Sequence, residues 1–281
     1  MQRVRWRMIL QSIPARAASA LAWRLSMRAY RNGWFRLSKP SLRLTDDPVA
    51  IIVCLWNRPA RLSPLLAMLD NQAAPRPIHV FLWNNQRAHT HRYRSDIADF
   101  RPAGAVKQVA LVSSPINVGG LARFFIARKL WKHGYRGGFI MLDDDQDVST
   151  SFAADLIAVD ADRSITGYWA WTMRGEYWGR TPAGPGDFVS YVGTGGTICD
   201  CSLVSDIGFF TGLPRYFAFL EDIWMSGYAR KHDWSLHKSA TPIQFVLDET
   251  NQHHALADKK AEFYRYLRLE DPAAPDSTSG S

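Results

Sequence analysis

The chain has 281 residues, 47% hydrophobic and 21% charged, with Gly 19, Pro 15 and Trp 11, the composition of one large α/β domain with extra segments at its ends and a surplus of tryptophan. Three cysteines, Cys54, Cys199 and Cys201, are too few for a disulfide framework, and Cys-x-Cys without other sulfur ligands is poor ground for zinc. The formal charge of +8 sits at one end: no acidic residue precedes Asp46, while residues 1–45 carry ten Lys or Arg, leaving 24 basic against 26 acidic residues in the rest.

That basic arm interleaves Trp6, Leu10, Leu21, Trp23, Leu25 and Trp34 with arginine. No window approaches the about 20 uninterrupted apolar residues of a spanning helix, and arginine recurs too often for a signal-peptide core. The pattern predicts an amphipathic arm over 1–45 lying on an anionic membrane surface. A helix packed on the domain and a solvated leader are the alternatives. The arm holds no recognisable nucleic-acid module, so no nucleic-acid partner is expected. With a reducing compartment as the default for so few cysteines, the expected location is cytoplasmic, at the inner face of the membrane.

From residue 46 the domain begins. "VAIIVCL" (49–55) is a short apolar run without alternation, as expected of a strand covered on both faces. A helix follows, with Pro59 at its start and Leu62, Leu65, Leu66 and Leu69 at spacings of three and four. A second strand over 78–83 ends at Asn84 and Asn85; then come a helix near 91–100, a third strand "KQVALVSS", a helix from about 120 to 133 and a fourth strand, "GGFIML". This alternation predicts a parallel sheet with right-handed crossovers. After the aspartate run the chain turns aromatic and Gly-rich ("ITGYWAWTMRGEYWG", "DFVSYVGTGGTICDC"), a half expected to shape a pocket. The domain is expected to end at 268, and the small polar tail 269–281 to be disordered.

Ligands of open parallel sheets bind beyond the carboxyl ends of the strands. Here those ends read "WNR", "WNN", "SSPINVGG" and "DDDQD", polar segments that a sheet would gather into one crevice. In the last of them, Asp143 and Asp145 can face that crevice while Asp144 turns elsewhere, because alternate residues of an extended chain point the same way. Hard carboxylate oxygens select Mg²⁺ or Mn²⁺. A solvated acidic loop is the other reading. In "NVGGLARFF", Asn117, Gly119 and Gly120 open a helix with Arg123 one turn in, a place for a pyrophosphate. "LEDIWMSGYARKH" places Glu221 and Asp222 in the first turn of another helix, where its dipole favours carboxylates. Either dipole stabilisation or contact with a reacting hydroxyl accounts for them. His253 or His254 could complete a metal site; an exposed histidine pair is the alternative.

Taken together, these motifs resemble nucleotide-sugar glycosyltransferases of the GT-A fold, the family 2 enzymes above all, with features similar to exostosins. "CLWNRPARLSPLLAMLDNQ" looks like their first strand and helix, "LDDDQDV" like their Asp-x-Asp motif and "LEDIW" like their later acidic pair. The resemblance covers roughly 48–240 and implies a mostly parallel Rossmann-like sheet with flanking helices. It further implies that Asn57, Arg58, Asn84 or Asn85 hold base and ribose, with Asn117, Gly120 and Asp144 beside the donor. Asp143 would hold the ribose, Asp145 the metal, with Asp143 and His253 as further ligands. Arg123 would take the diphosphate, and Asp222, with Glu221 beside it, would act at the acceptor hydroxyl. The expected reaction moves a sugar from a nucleotide-diphosphate sugar to a lipid-linked or surface glycan acceptor with Mn²⁺ or Mg²⁺. Family 2 enzymes invert and exostosins retain, and both routes stay open. A sugar nucleotidyltransferase would use the same aspartates, but the Gly-rich, Lys-containing loop it needs is replaced by "WNRPARL". A non-enzymatic, basic-armed binder of anionic lipid or nucleic acid is the third reading.

Overall fold

In the computed structural model, which describes residues 15–38, 47–246 and 256–269, helix α1 (Ala15–Arg31) leads into an alternation of strand and helix. It runs β1 (Val49–Leu55), α2 (Leu62–Asp70), β2 (Ile78–Asn84), α3 (Thr90–Asp99), β3 (Val106–Ser113), α4 (Ala122–Lys132) and β4 (Gly138–Asp143). The seven elements from β1 to β4 are those read from apolar periodicity, displaced by one to three residues. Then come β5 (Gln146–Val148), α5 (Phe152–Ala158), β6 (Ser164–Gly167), β7 (Ala170–Arg174), β8 (Glu176–Pro182), β9 (Tyr191–Val192) and β10 (Thr197–Asp200). A short α6 (Gly208–Thr211), α7 (Glu221–Lys231), β11 (Ser235–Lys238), β12 (Ile243–Phe245) and α8 (Ala257–Leu269) complete the described chain.

Seven strands form the central sheet in the order β11-β6-β10-β4-β1-β2-β3. The four strands foreseen as parallel are parallel; β10 joins β4 antiparallel, and β6 joins β10 antiparallel. Alternation splits each strand between two cores. Ala50 and Ile52 of β1 face one side with Phe124 and Phe125 of α4, while Ile51 and Val53 face the other with Leu65, Leu66 and Leu69 of α2. A small sheet of β8-β7-β9 and a β12-β5 pair sit outside the main one.

Part of the basic arm belongs to this body. Tyr30 is buried with its ring edge-on to Trp83 at 4.9 Å, its hydroxyl bonded to Ser114 Oγ at 2.8 Å, and Phe35 meets the same indole at 5.2 Å. Lys129 Nζ donates to the Gly33 carbonyl at 2.7 Å, and Ser38 N donates to the Leu111 carbonyl at 2.9 Å, with Leu111 N returning a bond to Ser38 Oγ. The boundary at 45 is therefore not a packing boundary: residues from about 23 to 38 dock on the domain, the alternative that charge patterning alone left open. Residues 1–14, 39–46 and the tail from 270 lie outside the described residues. No described helix is long and apolar enough to cross a membrane. Helix α8 was not foreseen; it docks by stacking Phe263 on Phe217 at 4.2 Å.

Candidate active site

Register aligns the carboxyl ends of the parallel strands. Leu55 pairs with Asn84, Asn84 with Ser113, and Cys54 with Asp143, so the polar segments that follow do converge. Asp144 sits in the turn after β4 and points inward at the base of the cavity: it is 3% exposed and accepts from Trp56 N and Arg58 Nη1, both at 2.8 Å. Burial, opposed by those two bonds and by Arg58, pushes its carboxyl up to about 7. Arg58 also reaches Asp145 Oδ2 at 3.2 Å, so one guanidinium forks between two carboxylates. Asp143 lies against Arg123.

Arg123 is 2% exposed, so it is an internal charge before it is a ligand. Its guanidinium contacts Asp143 and reaches Thr194 Oγ1 and Glu221 Oε1, each at 3.1 Å. This ties the end of β4 to the start of α7. Burial, with repulsion from Asp222 and Asp143 added against the attraction of Arg123, pushes Glu221 up to about 7. Gly120 is required here, because a methyl group on it would overlap the Glu221 carboxylate and the Arg123 guanidinium. Glu221 thus anchors Arg123, while its neighbour faces open space.

That neighbour, Asp222, accepts from the Tyr191 hydroxyl at 2.5 Å and from Ile223 N at 2.8 Å. It shares a cavity of about 650 Å³ with Asp143, Asp145, Asn117, Gly120 and Arg123. The wall opposite the aspartates is aromatic, with Trp169, Trp171, Tyr177, Trp178, Tyr191 and Phe245. Trp56 Nε1, Gln146 Nε2 and Trp169 Nε1 also lie at the cavity, buried and without a hydrogen-bond partner among the described residues. Buried donors are rarely left so, and a cavity that presents several is built for a ligand with acceptor oxygens.

No protein-family model matches the chain, and no curated protein does. Solved structures do. Similar ones include S. aureus TarS 1-349 in complex with UDP-GlcNAc, at 15% identity and a TM-score of 0.53 over 79% of this chain and 66% of that one. The shared fold is Rossmann-like, a mostly parallel central sheet flanked by helices. A second TarS structure matches over 69% of this chain and 36% of its own, at 15% identity and a TM-score of 0.46. The chain thus spans about a third of that longer TarS chain, and the likeness is one of fold.

Two residues expected at the donor, Asn84 and Asn57, lie outside the cavity, while Asn85 lines it. Asn84 is fully buried: its Nδ2 donates to Thr90 Oγ1 at 3.0 Å and its Oδ1 accepts from Gln86 N, so it closes a turn and does not reach the cavity. Asn85, at the cavity wall, takes Val118 N on Oδ1 and gives Nδ2 to the Gly119 carbonyl, fixing the loop in which Asn117 Oδ1 accepts from Gly119 N. Asn57 adopts φ +57° and stands exposed outside the cavity wall, bonded to Gln86. His253 lies outside the described residues. Sequence reading passed over Tyr191 and Arg180; the density of aromatics around them was the available signal.

Among the described residues no three His, Cys, Asp or Glu side chains converge as a metal cage. Mg²⁺ and its analogues use one or two protein carboxylates and take further oxygens from substrate phosphates. Asp143 and Asp145, whose side chains are 34% and 17% exposed at the cavity, fit that pattern.

Proposed function

We propose that the protein is a glycosyltransferase that moves a sugar from a nucleotide-diphosphate sugar to a glycan or lipid-linked acceptor. The observation that carries this reading is Asp222: a tethered carboxylate in the same cavity as the strand-end aspartates, at the aromatic end of that cavity. A divalent ion held by Asp145 and Asp143 would neutralise charge on the departing diphosphate. Trp56, Gln146 and the loop at Asn117 and Gly120 supply donors and close backbone approach for the nucleotide. Each oxygen of Asp222 accepts one bond from the protein and keeps a lone pair, so the carboxylate can take the proton of an acceptor hydroxyl held beside it. In a retaining reaction the same group orients the acceptor.

The reading includes attachment to an anionic membrane from the cytoplasmic side. Helix α1 docks through Trp23, Met27 and Tyr30, leaving Leu21 and Leu25 43% and 58% exposed beside Arg24 and Arg28, with Trp34 69% exposed further on. Apolar and basic side chains in that mixture favour an anionic interface.

The test is a thermal-shift panel of UDP, GDP, CDP and dTDP with and without Mn²⁺. A metal-dependent rise in Tm with one diphosphate is expected, since a ligand of the folded state alone stabilises it. No shift with any of them overturns the reading. Sedimentation with anionic liposomes at low salt tests the membrane part, which is abandoned if the full chain stays in the supernatant.

A further inference from the structure

The cavity is electrostatically two-ended. At the strand end, Asp143, Asp144, Asp145 and Glu221 outnumber Arg58 and Arg123. At the aromatic end the balance reverses, because Arg180 and Lys260 line the wall with Asp222 as the carboxylate among the described residues there. A cavity that changes sign along its length sorts two differently charged substrates, or two parts of one.

Arg180 projects from β8 into a cluster of rings. Its guanidinium carbon stands 4.7 Å from the centre of Trp171, 4.6 Å from Tyr177 and 4.9 Å from Trp178. Its Nε donates to the Tyr177 carbonyl at 3.3 Å, and no described carboxylate is ion-paired with it. Stacking on aromatic faces uses the flat side of a guanidinium, while recognition of an oxyanion uses its in-plane edge. The rings and the Tyr177 carbonyl hold the charge in place, and no carboxylate among the described residues takes up its terminal nitrogens, the groups that bind phosphate or carboxylate. Lys260 of α8 lies 6.0 Å from the same Tyr177 ring. Tyr177 in turn meets Tyr191, whose hydroxyl holds Asp222. Trp178, 52% exposed, offers a flat apolar face alongside.

We propose that Arg180 and Lys260 form an oxyanion subsite for the acceptor, which carries a phosphate or carboxylate close to the hydroxyl that receives the sugar. This rests on the transferase reading and narrows its acceptor to an anionic glycan. The donor's diphosphate is the competing occupant, and the experiment separates the two.

Wild-type protein is saturated with the nucleoside diphosphate that stabilises it, so that phosphate is not scored at the nucleotide end. It is then titrated with methyl glucoside, methyl glucuronide and glucose 6-phosphate, following tryptophan fluorescence from the Trp171 and Trp178 wall. The charged sugars should bind at least about tenfold more tightly than the neutral one, the better of the two naming the anion. Arg180→Gln should erase that advantage, and Lys260→Gln, at a half-exposed helix position, should reduce it. In both variants the affinity for the nucleoside diphosphate should stay within about twofold of wild type. Equal binding of charged and neutral sugars overturns the proposal, as does a preference that survives both substitutions. Loss of nucleoside diphosphate affinity in Arg180→Gln would assign the cation to the donor and overturn it as well. If no nucleoside diphosphate binds wild type, the transferase reading fails first and the subsite falls with it.

Discussion

Tyr191 gives its hydroxyl proton to Asp222 Oδ2 across 2.5 Å, joining strand β9 to the first turn of α7. Tyr191 is buried, and that burial with the nearby Asp222 charge raises its pKa well above the usual phenol value. The tyrosine therefore keeps its hydroxyl proton and remains the donor. Replacing Asp222 by Asn should lower transfer by about 10² to 10⁴ in kcat, the contribution typical of a positioned base, with affinity for the nucleoside diphosphate retained. Tyr191→Phe leaves the carboxylate in place but unsteered, and a loss of about tenfold is expected. Wild-type turnover by Asp222→Asn would remove Asp222 from the chemistry.

Asp144 and Glu221 make stability depend on pH with an unusual sign. Each is pushed up to about 7 from ordinary values of 3.8 and 4.5, burial being the largest cause. Between those limits the folded state binds more protons than the unfolded one, so stability falls as pH rises from about 4 through about 7. Urea unfolding at pH 5, 6, 7 and 8 should show it. Glu221→Gln should flatten the slope over this window; an unchanged slope would mean the carboxylate is ionised throughout.

Arg58 is the counter-charge of a buried acid. Its removal in Arg58→Ala leaves Asp144, 4% exposed at its side chain, with the Trp56 amide as its remaining partner among the bonds described above. A loss of about 3 kcal/mol is expected. Asp144→Asn in the same background should recover part of it, because the uncompensated charge is then gone. Chemical denaturation of the two variants and the double variant decides the matter; additive losses would contradict the pairing.

Asn84 offers a test of scaffold against ligand. Asn84→Ala removes two bonds inside a buried turn and should cost about 1–3 kcal/mol, leaving nucleoside diphosphate affinity unchanged once the protein is folded. Asn117→Ala, at the cavity wall, should weaken that affinity. The reverse pattern would restore Asn84 to the donor site.

The parallel half of the sheet was legible because β1 to β4 are buried on both faces and read as unbroken apolar runs between amphipathic helices. Strands β6, β9 and β10 were not, since two to four residues carry no period, and the antiparallel entry of β10 depends on the glycine turn before it. At the site, the aspartate run and the acidic pair stood out by composition. Side-chain direction did not. Asn84 and Asn85 differ by one residue, and only the pleat decides that one is sealed in a turn while the other organises the loop at Gly119. Arg123 read as a diphosphate ligand one turn into a helix, yet the facing carboxylates that draw it inward lie 20 and 98 residues away. Nothing local in sequence marks such a pairing.

Ser38 closes the outermost strand of the sheet. Strand β3 has a neighbour on one side, and on the other the two bonds between Ser38 and Leu111 take up edge groups that a further strand would pair. An open edge is a template for self-association. Protein truncated before residue 46 should therefore cluster through β3, which light scattering would report, even where its cavity is intact. The arm thus acts as a guard against unwanted β-sheet extension, a duty separate from any surface it touches.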